Sequence, residues 1–118
     1  MAFTQQLVYE PLRSIDSTTL SGGYQAIGTP LAHPATIIKM VNNSTSLVTI
    51  SVNGTSDADV LPGTSFWLYD VTANTPMQGD PAIFIAEGTQ YFVKGSAGTG
   101  LIYLVVMYIV LSTNHEVM

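Results

Sequence analysis

The chain has no cysteine, and only 9 % of its 118 residues are charged. An ordinary soluble domain carries about 25 % charged residues. Without cysteine there is no disulfide framework and no thiol chemistry, so the fold must hold without covalent staples. Scarcity of charge leaves a surface poorly protected against association, which suggests that part of it is meant to be covered. Positive charge is scarcest of all. Arg13, Lys39 and Lys94 stand against eight acidic residues, for a net charge of −5. Three scattered cations cannot neutralise a phosphate track, so no nucleic-acid partner is expected. Nor is there a basic amphipathic stretch for an anionic membrane. The opening "MAFTQQLVYEPLR" lacks the cationic and apolar regions of a signal peptide. The longest apolar run, "LIYLVVMYIVL" from Leu101 to Leu111, has eleven residues, where a membrane helix needs about twenty. Its Val, Ile and Tyr content reads as a strand.

What is present is punctuation. Gly, Pro, Asn-Gly and Ser-Gly interrupt the chain roughly every eight to twelve residues, the rhythm of a sandwich or barrel. The spacing predicts strands over Ser17–Leu20, Tyr24–Ile27, Thr36–Val41, Leu47–Val52, Ser65–Val71, Ile83–Ala86, Gln90–Lys94 and Leu101–Val110. The expected fold is all-β: a jelly-roll-like antiparallel β-sandwich of about eight strands with an extended N-terminal arm. Residues 1–14 form the arm, 15–111 the sandwich and 112–118 a polar tail. Two hairpins are expected, one across "NNSTS" and one across "VKGSAGTGLIY", the second with Gly95, Gly98 and Gly100 at positive φ. Prolines 30, 34, 62, 76 and 81 all fall between strands, where a missing N–H does no harm.

The faces of the strands carry more. In Leu47–Val52 the residues Val48, Ile50 and Val52 alternate with Thr49 and Ser51, giving one dry and one wet face. Leu101–Val110 is apolar on both faces. Either its second face is covered within the domain, by a loop or the N-terminal segment, or it meets another subunit. The arm offers the isolated anchors Phe3, Leu7, Val8, Tyr9 and Leu12, and reads either as a frayed end or as a segment laid on a neighbouring molecule.

Candidate chemistry is thin. Asp57 and Asp59 lack the further oxygen ligands of a calcium loop and read as a solvated turn, so no metal and no cofactor are expected. His33 lies between two prolines and His115 in the tail, with no "GxSxG" elbow and no HExxH context. Any two of Asp57, Asp59, Asp70, Asp80 and Glu87 could be paired on paper as glycosidase carboxylates, which leaves no signal. In "KGSAGTG" the Lys precedes the glycines and a strand follows, so it is a turn and not a phosphate loop. The sequons at Asn42, Asn43 and Asn53 read as turn chemistry. Trp67 and Tyr69 share one face of their strand, either filling the core or presenting an aromatic contact surface or sugar platform. No enzymatic activity is expected.

The runs "YQAIGTPLAHPATIIKMVNNS", "ISVNGTSDADVLPG" and "GTQYFVKGSAGTG" lie within Ile15 to Tyr108. On these the chain resembles small virion proteins of tailed bacteriophages, specifically the cement or decoration proteins on the outside of the capsid. The resemblance implies a jelly-roll sandwich, made in the host cytoplasm, that forms a dimer or trimer and staples neighbouring major capsid subunits, with no catalytic residues to carry over. Tail and baseplate modules of phage particles use similar sandwiches, and a carbohydrate-binding module is the alternative that Trp67 and Tyr69 support. The residues expected at an interface are Phe3, Leu7, Tyr9, Leu12, Trp67, Tyr69, Tyr108 and Val110.

Overall fold

A computed structural model describes residues 3–71 and 84–113. Among them the chain forms nine strands and one turn of 3-10 helix. The strands are β1 (Phe3–Tyr9), β2 (Arg13–Asp16), β3 (Gln25–Ala26), β4 (Ile37–Ser44), β5 (Val48–Ser51), β6 (Asp59–Leu61), β7 (Ser65–Asp70), β8 (Phe92–Gly95) and β9 (Gly100–Thr113). The first sheet runs β1-β9-β4-β7, with β2 also on β9; the second runs β3-β8-β5-β6. All pairings are antiparallel. β1 and β2 lie end to end along the same side of β9, and so count as one interrupted strand. The chain then crosses between the sheets at every described connection except β5–β6, which gives the sandwich its jelly-roll connectivity.

The core lies between the sheets. Ile38, Met40, Ile102, Leu104 and Val106 face inward from the first sheet, and Val48, Ile50, Leu61 and Val93 from the second; all are buried. These are alternate residues of their strands, as a two-layer sandwich requires. Val52 belongs by parity to the dry face of its strand, yet it is exposed, because β5 ends at Ser51.

Both expected hairpins are instead arches that cross from one sheet to the other. β4 pairs with β7 and β9, while β5 pairs with β6 and β8. Alternation identifies a strand and its inward face, but not its neighbour. The first arch is built around Asn42, which is wholly buried. Its amide nitrogen lies 2.8, 3.1 and 3.2 Å from the carbonyl oxygens of Ser46, Leu61 and Pro62, and its side-chain oxygen accepts from the Ser44 N–H. A buried carboxamide is tolerable only when so satisfied. The second arch, between β8 and β9, locks against the first. Thr45 N–H donates to the Thr99 carbonyl, Thr99 N–H to Thr45 Oγ1, and Ser46 Oγ to the Ser96 carbonyl. Of its glycines only Gly100 has a positive φ, at 111°. Gly95 serves close approach instead: a Cβ there would lie 2.7 Å from the Leu47 carbonyl oxygen.

Other departures are local. Ser17–Thr19 is a 3-10 turn and not a strand, because the Asp16 carboxylate accepts from the Thr18 N–H and caps it. Ile85 makes an isolated bridge to Ala35, and Ile83 lies outside the described residues. The N-terminal segment neither covers β9 nor hangs free: residues 3–9 run beside β9 of the same chain in a continuous register. The boundary expected after residue 14 falls inside β2, and β9 extends into the expected tail as far as Thr113.

Candidate interaction surface

Three features sit around β9: a bulge, a two-stranded ribbon and an uncovered sheet face. The bulge lies where β1 gives way to β2. Tyr9 is opposite Met107 and Arg13 opposite Leu104, so three residues of one strand face two of the other. The extra residue switches parity. Val8 shares the inward side before the bulge, Arg13 and Ile15 after it. Pro11, which cannot donate to a ladder, falls within the bulge on an edge strand, where nothing is lost.

Alternation turns Glu10 inward, in register with Val106, and the bulge brings Arg13 to the same side. The Glu10 side chain is 1 % exposed. Arg13 Nη2 donates to its Oε1 at 2.8 Å, His33 Nδ1 lies 2.8 Å from Oε2, and the Ala32 N–H donates to Oε1 at 3.3 Å. Arg13 also donates to the carbonyls of Thr29 and Pro30. Burial pushes the Glu10 carboxyl up, but the hydrogen bonds from His33, Arg13 and Ala32 and the Arg13 charge outweigh it, and the group sits below its ordinary value. His33 stacks on Tyr108, with ring centroids 3.7 Å apart and planes 5° from parallel. Arg13's aliphatic stem fills the space beside Gly28, whose φ is +70°. The cluster therefore ties β1, β2, the 28–33 loop and β9 together. A cleft of about 470 Å³ opens beside it, bordered by Tyr9, Leu12, His33 and Tyr108. Sequence reasoning treated His33 as a loop residue and passed over Glu10 and Arg13. The available signal was a Glu and an Arg three apart, flanking a proline in an otherwise apolar segment.

Above the bulge β9 leaves the sandwich. β4 reaches only as far as Ile37, opposite Met107. From Tyr108 to Thr113, β9 pairs only with β1 among the described residues. The result is a two-stranded ribbon six residues long on β9, or about 20 Å. It brings together five of the residues expected at an interface. Leu7 is opposite Ile109, Val8 opposite Tyr108, Gln6 opposite Val110, Tyr9 opposite Met107 and Phe3 opposite Thr113. Leu12, in the bulge, is exposed.

The outward face of the first sheet is apolar across most of its width, interrupted by Lys39 of β4 and by Asp70, which stands opposite Ile37 at the end of β7. The register sets Phe66 and Leu68 of β7 beside Ile37, Lys39 and Val41 of β4. Those lie beside Tyr103, Val105 and Met107 of β9. No described element lies over this face. Phe66 is 64 % exposed, and Leu68 is exposed too. Its one cation, Lys39, makes no ion pair among the described residues, whereas Arg13 and Lys94 are paired with Glu10 and Asp57.

Trp67 and Tyr69 lie apart from the ribbon, on the inward side of β7. Trp67 is half-buried against the core, with its ring 6.2 Å from that of Tyr69 and 6.4 Å from that of Tyr91. Tyr69 is 46 % exposed. They border a cleft of about 200 Å³ with Val52, Ala58, Asp59 and Tyr91. Burial, and then the neighbouring Tyr69, push the Tyr91 phenol up to about 12.

Several other polar residues shape turns and loops. The Asn53 side-chain oxygen accepts from the Thr55 and Ser56 N–H groups, each at 2.8 Å, and so shapes the β5–β6 loop. Asp57 accepts from Tyr24 Oη and pairs with Lys94 at 3.0 Å. Among the described residues no three His, Cys, Asp or Glu side chains cluster as metal ligands, and no helix is long and apolar enough to cross a membrane. No protein-family model matches the chain, and no curated protein matches it.

Proposed function

We propose that the protein is a non-enzymatic structural component of a tailed-bacteriophage particle. In this reading it binds the capsid exterior as a homo-oligomer and cements neighbouring major capsid subunits. The observation that supports it most is the outward face of the β7-β4-β9 sheet, largely apolar apart from Lys39 and Asp70, with no described element over it. Isolated exposed apolar residues are ordinary, but a contiguous apolar face marks a surface that meets another protein. Lys39, which makes no ion pair among the described residues, suits a partner that brings a carboxylate. A cement protein works by addition: a molecule that binds only the assembled shell stabilises it by mass action. Several contacts from one oligomer act at high effective concentration, so each can be weak alone.

A glycan-binding role fits less well. A sugar platform needs adjacent exposed rings, and Trp67 gives much of its ring to the core beside Tyr91, leaving Tyr69 as the exposed ring of that cleft. The test is cryo-electron microscopy of the virus particle whose genome encodes the chain. Density for the two-layer sandwich at junctions between capsid subunits is the expected result. A particle that lacks the protein, or carries it only in the tail, contradicts the capsid role.

A further inference from the structure

We infer that the upper half of β9 is a dimer seam, filled by the same strand of a second copy running antiparallel to it. The inference rests on the self-association in the reading above, and not on the capsid role.

Backbone direction carries it. The Val106 carbonyl accepts from Glu10 N–H, so it points toward the β1–β2 side; the Met107 carbonyl accepts from Thr36 N–H, so it points toward the β4 side. Strand groups alternate with period two. The N–H and C=O of Tyr108 and Val110 therefore face β1, and those of Ile109 and Leu111 face the side that β4 has vacated. No described residue pairs with that side. A strand added there continues the row that β4 occupies lower down.

The occupant is argued from the strand itself. A lone two-stranded ribbon is marginal in water, and three or more strands with an apolar face are needed for stability. Exposed edges are ordinarily blunted by charge, proline or a bulge. The ribbon strands, "FTQQLVY" from Phe3 to Tyr9 and "YIVLST" from Tyr108 to Thr113, contain no charged residue and no proline. Every copy carries both halves of the seam. With a two-fold axis through Leu111, Leu111 of one copy comes opposite Leu111 of the other and Ile109 opposite Thr113, all residues with outward-facing backbone groups, and the pairing stops short of Met107, which β4 already occupies. The two copies exchange about six hydrogen bonds and close an isologous four-stranded sheet, β1-β9-β9-β1. The two sandwich bodies then sit at opposite ends of it.

Amide hydrogen exchange on the full chain, read beside light scattering, tests the seam. The expected result is an oligomer in which the Ile109 and Leu111 amides are protected as strongly as those of Tyr108 and Val110. Ile109→Pro removes a donor from the seam and none from the β1 ladder, so it should weaken association at least about tenfold while Tyr108 and Val110 stay protected. Val110→Lys, which alters no backbone group, should weaken association in the same sense and covers the case in which the proline variant does not fold. A wild-type monomer at every concentration overturns both the seam and self-association. An oligomer with fast exchange at Ile109 and Leu111 overturns the seam alone.

Discussion

The two halves of β9 are one continuous strand in two environments. From Gly100 to Met107 it has β4 on one side and β2, then the bulge, on the other, and Ile102, Leu104 and Val106 are buried against the second sheet. From Tyr108 to Thr113 it pairs only with β1 among the described residues, and Val110 is exposed. The residue types do not change: Val, Met, Tyr, Ile and Val run through the junction. What changes is the neighbour. An apolar residue contributes to the fold only where another layer removes it from water, so the same composition makes a core below Met107 and leaves Val110 exposed above it. The Glu10–Arg13–His33 cluster marks the boundary and fixes where one regime ends.

The largest expected difference between the halves comes from truncation. Leu104→Ala should cost about 3–4 kcal/mol through lost burial and a residual cavity. Val110→Ala should leave the stability of the monomer within about 0.5 kcal/mol. Urea unfolding of both variants measures this, and equal effects would erase the distinction between core and ribbon. At the boundary, Glu10→Gln should cost about 3 kcal/mol, because it leaves the Arg13 charge buried and unpaired. The same residue sets an acid limit. Its folded carboxyl lies below the ordinary 4.5, so its contribution is full above that value and is lost as pH falls through the folded one. Wild-type stability should drop on acidification more steeply than that of Glu10→Gln, as urea midpoints followed down to about pH 3 will report.

The body also has an alkaline limit. Tyr91 is held neutral up to about 12, so its contribution is full below about 10 and is lost as pH rises through about 12, an effect on the order of 2 kcal/mol. Tyr91→Phe should flatten that decline in a thermal unfolding series. The smallest effect on stability is expected on the outward face. Phe66→Ser should shift unfolding of the isolated chain by no more than about 0.5 kcal/mol and yet weaken binding to any partner of that face. A large loss of stability instead would mean that Phe66 is covered within its own chain.

How much of this was legible in the sequence follows the same division. β4, β5, β7, β8 and β9 lie within two or three residues of where alternation and turn residues place them, and the two-faced character of β9 was visible in its alternate residues. Which strands are neighbours was not visible. Val48 and Ile50 announce an inward face, but only the folded position of Asn42, satisfied by carbonyls from two other segments, turns "NNSTS" into an arch. β1 was hidden because its value lies in pairing with residues a hundred positions away. The joint was hidden for the same reason: His33 and Tyr108 carry no local pattern, and the bulge that brings Arg13 beside Glu10 is a mismatch between two strands, not a property of either.

The most direct measurement of the central claim is the solution mass of the full-length chain by light scattering across a concentration series. An account in which apolar surface left over by the sandwich is covered by sister chains requires a multiple of 12.6 kDa, with dissociation on dilution. A particle of 12.6 kDa at every concentration, soluble and unchanged by substitutions at Phe66 or Val110, would contradict it.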